Sequence, residues 1–343
     1  MRASAAWLFS AGLLLLIAVL ASQGLTPVFA TLASAGWGLL LLALFHLLPL
    51  WLDGEAIAVL FDAGTARSMW REALLARWVG ESANSLMPLG QMAGPLVMSR
   101  HLSRAGMATQ GAAAAITVST TLQALAQFAF ALLGVALLAL RLGPASARHE
   151  HGAVIIAALT VTLVLALILA SFYLVQRRGL FAGGVRWLAR LAHRREWSGL
   201  MSRAEAIDLA VEETYGRGKS AAASFALSLA GWVIGSGEVY LALRMLGSPV
   251  GWLDALLLES LGQAIRGAAF AIPGALGVQE GGYILLAPFV GLTPDAALAL
   301  SFAKRAREIL LGVPGLVYLH HCERLSRRAQ SVAAGTDSDR GFL

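Results

Sequence analysis

The most prominent pattern in the sequence is a series of long stretches without a charged side chain. These stretches lie between Arg2 and Asp53, Arg104 and Arg141, Glu150 and Arg177, and Lys219 and Glu238. A helix that crosses a bilayer needs roughly 20 apolar residues, so the stretches predict at least five spans. Their apolar residues do not alternate with polar ones, which argues against a β-barrel and predicts an all-α, polytopic transmembrane bundle.

The individual spans are separated by charged connectors. They are predicted near residues 5–22, 34–52, 105–140, 152–176, 220–246, 253–272 and 295–320. A cytoplasmic C-terminus requires that either 253–272 is itself re-entrant or residues 273–294 cross the membrane. Residues 53–80 carry several charges and are interpreted as a solvated or interfacial connector. The first span also resembles a signal peptide, because Arg2 precedes a Leu-rich run that ends in small residues. We retain it as a span, since the predicted topology accommodates it.

Two further apolar segments, residues 81–95 and 273–294, are interrupted by Pro and Gly. These residues disfavour a continuous helix, and irregular backbone at membrane depth occurs where it lines a cavity. The two segments therefore predict broken or re-entrant helices. The dipeptide Glu-Ser precedes both, at 81–82 and 259–260. The spacing to the next Pro differs between them, so an internal repeat is only a weak hypothesis.

Composition supports a membrane protein and narrows its partners. Hydrophobic residues make up 58% of the chain, charged residues 13%, and the mean hydropathy is +0.71. Soluble domains carry about 25% charged residues. The net charge is +6, but the basic residues flank apolar stretches, which favours anionic lipid headgroups over nucleic acid. Cys322 is the only cysteine, which excludes a disulfide framework and a cysteine-based metal site.

The charge distribution predicts one integral membrane domain, residues 1–328, in a bacterial inner membrane. Basic residues are densest in residues 177–219 and after the last span, and the positive-inside rule places both regions, and hence the C-terminus, in the cytoplasm. Residues 177–219 are interpreted as an amphipathic helical pair on the membrane, or else as a solvated loop. The small, polar residues 329–343 are predicted to be a disordered tail.

Ionisable side chains inside apolar segments are costly, and here they cluster around the two broken segments. Transporters build substrate sites from discontinuous helices around buried charge, although ion pairs that only join helices are the alternative. The predicted substrate-binding residues are Glu81, Asn84, Gln91, Glu259, Gln263, Arg266, Glu280, Lys304, Arg305 and Glu308. We expect one polar cavity lined by Arg266, Glu280, Arg305 and Glu308 together with Asn84 and Gln91.

These stretches also carry a resemblance to a known family. Residues 84–91, followed by Arg100, resemble the first signature of the flippase-like membrane family that includes the transmembrane part of lysylphosphatidylglycerol synthases. Residues 273–281, followed by Arg305, resemble its second signature. The longer stretch 259–308 is similar to the hopanoid-biosynthesis-associated subgroup labelled HpnL.

The resemblance implies a lipid flippase or lipid transporter that moves a polar-headed or isoprenoid lipid, with membrane lipids as partners. No enzymatic activity, cofactor or metal is expected. A small-solute secondary transporter and a membrane enzyme acting on lipids are the alternatives, but the spans lack the paired Asp motifs of prenyl-lipid enzymes. His46, the histidine deepest in a span, is interpreted as a helix-packing residue. Residues 93–95 lack the acid that follows the paired glycines in the family, so an acid-dependent role there is in doubt.

Overall fold

The computed structural model describes residues 36–87, 93–149, 160, 163, 166–167, 170–176, 179–192, 198–268, 275 and 277–340. Over these residues the chain is helical and contains no β-strand, which confirms the predicted all-α bundle. The predicted span 5–22, most of 152–176, and Gln91 lie outside the described residues.

The helices are α1 (Gly38–Ala58), α2 (Ala63–Leu86), α3 (Ala93–Arg104), α4 (Thr109–His149), α5 (Leu180–Ala192), α6 (Ser198–Gly216), α7 (Gly218–Met245), α8 (Trp252–Ala268), α9 (Val278–Leu286) and α10 (Pro294–Arg340). A 3-10 turn, Ala287–Val290, connects α9 to α10. Of the helices described, α1, residues 109–142 of α4, and α7 are long and apolar enough to cross a bilayer.

The predicted connector over residues 53–80 is correct only in part, because residues 59–62 connect two helices and Asp62, Arg67 and Arg71 are exposed, whereas the rest belongs to packed helices. Helix α1 continues through Asp53 to Ala58, and α2 packs against α1, α3 and α10 with Ala73 and Val79 fully buried. Charges in this stretch pair across the two helices, as Arg77 Nη2 does with Asp53 Oδ2 at 2.7 Å. A charge-dense stretch of sequence indicates solvent, but here Asp53 and Arg77 neutralise each other inside the bundle.

Helices α2 and α3 form an antiparallel hairpin around the first break. Gly80 of α2 lies against Met98 of α3, so the two helices lie side by side. Near its end α2 reaches only the middle of α1, where Glu81 contacts His46. The hairpin therefore turns back at mid-depth of a candidate span, as a re-entrant segment does.

Helices α8 and α9 form the second hairpin in the same way. Gly262 of α8 lies against Tyr283 of α9. The end of α8 lies at mid-depth of the candidate span in α4, where Gly267 meets Gln127. Both predicted broken segments are confirmed as interrupted helices, and the connecting residues 88–92 and 269–274 lie outside the described part of the chain.

The helices occur in two sets with the same order, a long helix, a hairpin and a second long helix. The first set is α1–α4 and the second is α7–α10. Helices α1 and α7 pack antiparallel, because Gly38 lies against Met245 and Phe45 lies against Gly237. Glycine lets such helices approach closely without a hydrophobic driving force from water. The second set is therefore inverted relative to the first.

The two sets are connected by a crossed contact that uses the same residue types twice. Ser82 of α2 lies against Gly315 of α10, and Ser260 of α8 lies against Gly134 of α4. Each hairpin thus packs on the last long helix of the other set. The two Glu-Ser dipeptides that suggested a repeat occupy matching positions in the fold.

A polar layer separates two buried apolar clusters. Along α1 the order is Leu42 in one cluster, His46 and Asp53 in the polar layer, and Ile57 in the other cluster. Helix α4 passes through the same three layers, because its early residues join the second cluster and its Leu138 joins the first. The apolar clusters shield the polar layer at both ends.

Helices α5 and α6 form the helical pair predicted in residues 177–219, and α6 packs against α4. Asp208 of α6 accepts hydrogen bonds from the backbone amides of Phe181 (3.0 Å) and Ala182 (2.8 Å). A carboxylate is favourable there because the first amides of a helix lack partners within it. At the other end of the chain, α10 continues to Arg340, into the predicted tail.

Candidate functional site

The polar layer encloses a cavity of about 250 Å³ whose wall includes both hairpins and the long helices α1, α4, α7 and α10. A cavity of this size holds several water molecules or a small polar headgroup. Its polar lining consists of His46, Asp53, Arg77, Glu81, Asn84, Ser85, Thr120, Gln123, Gln127, Glu238, Glu259, Gln263, Arg266, Arg307 and Glu308.

His46 of α1 belongs to a ring of polar and charged groups from four helices. Its Nδ1 is 2.8 Å from Glu238 Oε2 of α7, and its Nε2 is 2.8 Å from Glu81 Oε1 of α2. Arg307 of α10 donates from Nε to Glu238 at 2.9 Å and from Nη1 to Glu81 at 3.2 Å. The ring holds the first hairpin against both sets of helices.

A second group of contacts surrounds Asp53. Its Oδ2 accepts hydrogen bonds from Arg77 Nη2 at 2.7 Å and from Gln123 Nε2 at 2.8 Å. Arg77 Nη1 also donates to Gln123 Oε1 at 3.1 Å. These contacts connect α1, α2 and α4 on the side of the cavity formed by the first set.

The second hairpin supplies the opposite side of the wall. Arg266, near the end of α8, donates from Nη1 to Glu308 Oε1 at 2.5 Å and to Gln279 Oε1 at 3.1 Å. Gln127 donates to the backbone carbonyl of Gln263 at 2.9 Å. The guanidinium group of Arg266 therefore faces the cavity. Among side chains, this planar, charged donor best matches the geometry of phosphate and carboxylate groups.

Lys304 lies directly behind this wall and is 1% exposed. Its Nζ donates to Glu259 Oε2 at 2.5 Å, and Tyr283 Oη donates to the same oxygen at 3.3 Å. Gln263 Nε2 donates to the other Glu259 oxygen at 2.8 Å. A lysine this deeply buried needs its carboxylate, because an unpaired charge in such a position costs several kcal/mol.

Two side chains accept hydrogen bonds from backbone amides within the hairpins themselves. Asn84 Oδ1 accepts a 2.7 Å hydrogen bond from the backbone amide of Gly94, in the first turn of α3. Glu280 Oε2 accepts one of 2.7 Å from the amide of Gly277, where α9 begins with a positive φ of 79°. Both satisfy amides that the helix itself leaves unpaired.

The structure brings most of the predicted site residues together. Glu81, Asn84, Glu259, Gln263, Arg266 and Glu308 line the cavity, with Lys304 behind them. Glu280 and Arg305 do not belong to this wall, contrary to expectation. They pair with each other at 2.7 Å, on the far side of Gln279. Gln91 lies outside the described residues.

Several wall residues were not among the predicted site residues. These are His46, Asp53, Arg77, Gln123, Gln127, Glu238 and Arg307. Glu238, Gln123 and Gln127 interrupt apolar stretches, and Arg307 belongs to the charged cluster of the last span, so polarity within a span was a usable signal for them. No comparable signal existed for Asp53 and Arg77, which lie in a charge-rich stretch.

The charged groups in and directly behind the wall are unequal in number. The carboxylates are Asp53, Glu81, Glu238, Glu259 and Glu308, and the permanent cations are Arg77, Arg266, Arg307 and Lys304. With an uncharged His46, the group of described residues carries one excess negative charge. Glu280 and Arg305 add one charge of each sign and leave the difference unchanged.

A sequence model of the lysylphosphatidylglycerol synthase transmembrane region matches residues 4–315. The chain belongs to this family. The matched region contains every residue of the cavity wall. No curated protein and no solved structure matches the chain. Membership in the lysylphosphatidylglycerol synthase transmembrane-region family, together with the apolar helices, supports a membrane location and a lipid-related function.

Proposed function

We propose that the protein is a lipid flippase or lipid transporter of a bacterial inner membrane, with no enzymatic activity of its own. Its substrate is a polar-headed or isoprenoid lipid, and hopanoid-related lipids are candidates because of the resemblance to the HpnL subgroup. The observation that carries this proposal is the polar cavity at mid-depth between two inverted hairpins. Inverted repeats with discontinuous helices at a midplane site are the architecture of many transporters.

The size and chemistry of the cavity favour a headgroup over a whole lipid. The cavity of about 250 Å³ accommodates a small polar group, whereas the acyl or isoprenoid chains remain in the bilayer. Arg266 and Glu308 neutralise each other while the cavity holds no headgroup. A headgroup that exchanges for Glu308 at Arg266 is held by a charge-assisted bond and can be released when the ion pair forms again.

The test is lipid movement by the purified full chain in vesicles of phosphatidylethanolamine and phosphatidylglycerol. One probe is fluorescently labelled phosphatidylglycerol, whose inner-leaflet fraction is protected from a membrane-impermeant quencher. The other is a radiolabelled, water-soluble, short-chain isoprenoid phosphate, whose uptake into the vesicles is counted. We expect movement of at least one probe above the rate of protein-free vesicles.

Arg266→Gln is the site variant and Arg100→Gln is its matched control, since the Arg100 side chain is 62% exposed and pairs with Glu323 outside the cavity. Loss of movement in Arg266→Gln, but not in Arg100→Gln, supports the proposal. Equal activity of both variants, or uptake of free sugars or amino acids without lipid movement, would contradict it and favour a small-solute transporter.

A further inference from the structure

The contacts of His46 require more hydrogens than a neutral histidine carries. Both ring nitrogens lie 2.8 Å from a carboxylate oxygen, Nδ1 from Glu238 and Nε2 from Glu81. A neutral imidazole has one N–H, so one of these contacts would then place two lone pairs against each other. Both contacts are hydrogen bonds only if one additional proton is present on His46 or on a carboxylate.

The other charged groups around His46 do not remove this requirement. Arg307 Nη1, from α10, lies 3.2 Å from His46 Nε2 and can donate to an unprotonated nitrogen, but the contact with Glu81 is then still repulsive. On α1 and the helices packed against it, the further charged groups in or directly behind the cavity wall are Arg77 on α2, Lys304 and Glu308 on α10, and Asp53 on α1 itself. They belong to the pairs described above.

The charge balance points to the same proton. The five carboxylates and four permanent cations of the wall leave one uncompensated negative charge, and one added proton makes the group neutral. A net charge inside a membrane is expensive, whereas a neutral hydrogen-bonded group is tolerated. His46 is the one side chain of the ring whose ordinary titration range includes physiological pH.

The position of Glu81 gives this proton a structural effect. Glu81 lies on the last turns of α2, close to the first break. It is 25% exposed, whereas Glu238, on the continuous helix α7, is 3% exposed. When the proton leaves and the unprotonated Nε2 accepts from Arg307, repulsion between Nε2 and Glu81 acts on the end of a broken helix rather than on a continuous span.

We propose that His46, Glu81 and Glu238 form a proton-binding site, and that its occupancy sets the position of the α2–α3 hairpin. The occupied site attaches the hairpin to α1, α7 and α10, and the empty site releases the end of α2. If the proposed lipid transport is correct, on which this last step rests, a proton gradient supplies its energy. The proton enters or leaves as the hairpin opens the cavity to one side.

The experiment that tests proton binding needs no lipid substrate. Full-length protein with ¹⁵N-labelled histidine rings is placed in phosphatidylethanolamine and phosphatidylglycerol vesicles, and ring ¹⁵N shifts are recorded between about pH 5 and pH 8. These shifts report how many nitrogens carry hydrogen, and His46→Gln assigns the signal among the seven histidines. We expect His46 to change from two N–H groups to one as the pH rises. A count of N–H groups and ring ¹⁵N shifts of His46 that are both constant over this pH range would overturn the proton site.

Hairpin movement is measured in the same pH range with two spin labels in a Cys322→Ser background. Labels at Leu96 on α3 and Leu140 on α4 replace exposed side chains away from the cavity. We expect a pH-dependent distance that His46→Gln and Glu81→Gln abolish. His101→Gln is the matched control, because His101 also contacts a glutamate, Glu72 at 2.9 Å, but outside the cavity. A distance between the two labels that does not change with pH in the protein with an unsubstituted cavity would overturn the proposed hairpin movement. Loss of the pH dependence in His101→Gln alone would overturn it as well.

Lipid movement under an imposed pH gradient separates this inference from the proposed function. Movement that responds to the gradient, and loses that response in His46→Gln, supports both. Movement that ignores the gradient overturns the coupling and leaves the transport proposal intact. Proton binding and hairpin movement without movement of either lipid probe refute the proposed function while supporting the proton site.

Discussion

Ser82 packs against Gly315 so closely that a β-carbon at position 315 would overlap the serine hydroxyl. The first hairpin reaches the last long helix of the opposite set only because position 315 has no side chain. Ser260 and Gly134 have the same relationship on the other side of the molecule. The two contacts fix how deeply each hairpin sits beside the cavity.

Gly315→Ala and Gly134→Ala should therefore each destabilise the bundle. Overpacking of a tight contact costs about 1–3 kcal/mol, and the thermal midpoint in detergent should fall accordingly. Gly111→Ala on α4 is the control, because a β-carbon there meets nothing within 4 Å. Its expected effect is neutral or slightly stabilising, since Ala favours helix. A midpoint equal to that of the unsubstituted protein in both tight variants would contradict the crossed contact.

Lys304 and Glu259 should be strongly coupled. Either Lys304→Met or Glu259→Gln alone leaves a buried group without its charged partner and should cost about 3–5 kcal/mol of unfolding free energy. The double variant should recover a large part of that loss. Denaturation of all variants in the same detergent measures the coupling, and additive losses would mean that Lys304 and Glu259 are not energetically coupled. The exposed pair Arg100–Glu323 should contribute less than about 1 kcal/mol.

Arg266 and Arg305 should behave differently, because only Arg266 is on the cavity wall. Arg266→Ala removes the headgroup donor and should slow lipid movement about tenfold or more, which corresponds to one lost charge-assisted hydrogen bond. Arg305→Ala deprives Glu280 of its partner beside the wall and should lower the thermal midpoint more than the transport rate. A larger transport defect in Arg305→Ala would place the substrate on the other side of Gln279.

Asn84→Ala should loosen the tip of the first hairpin. The variant loses the side chain that accepts from the Gly94 amide, and loss of such a cap costs about 1 kcal/mol. Amides in the first turn of α3 should then exchange hydrogen for deuterium faster, while those of α7 remain unchanged. Equal exchange rates for the amide hydrogens within residues 93–96 in the variant and the unsubstituted protein would show that the Asn84 cap does not hold the hairpin.

The cytoplasmic placement of residues 177–219 and of the C-terminus is testable by cysteine labelling in a Cys322→Ser background. Ser198→Cys and Ser331→Cys should react only with reagent supplied from the cytoplasm, because both positions lie in regions rich in basic residues. Ser248→Cys, in the turn after α7, should react from the other side. Periplasmic labelling of either of the first two would reverse the topology.

Structural features that depend on a single segment of the chain can be predicted from the sequence. The charge-free stretches, the interruptions of the two hairpins, and the polarity of residues such as Glu259 and Arg266 are local. Within the described residues, three of the stretches are helices long and apolar enough to cross a bilayer, and helices end at both predicted breaks. Pairing is not local. Lys304 and Glu308 lie four residues apart on one helix face, a spacing at which two side chains can pair with each other. Each instead pairs with a different residue of α8, Lys304 with Glu259 and Glu308 with Arg266.

Asp53, Arg77 and His46 illustrate the same limit. A window around Asp53 and Arg77 contains enough charge to indicate water, and nothing in it reveals that Gln123, from a later helix, completes their hydrogen bonds. His46 in an apolar span suggests packing alone. Its role depends on Glu81, Glu238 and Arg307, which belong to three other helices.

The crossed arrangement of the two sets has a consequence for biogenesis. During synthesis Glu81 enters the bilayer long before Arg307 of α10 has been translated, so the first hairpin is charged and incomplete until the last helix arrives. Insertion of the early helices therefore precedes the formation of the ion pairs that join them to α10. A chain truncated before α10 retains its apolar spans yet exposes unpaired glutamates within the membrane, the kind of lesion that membrane proteases remove.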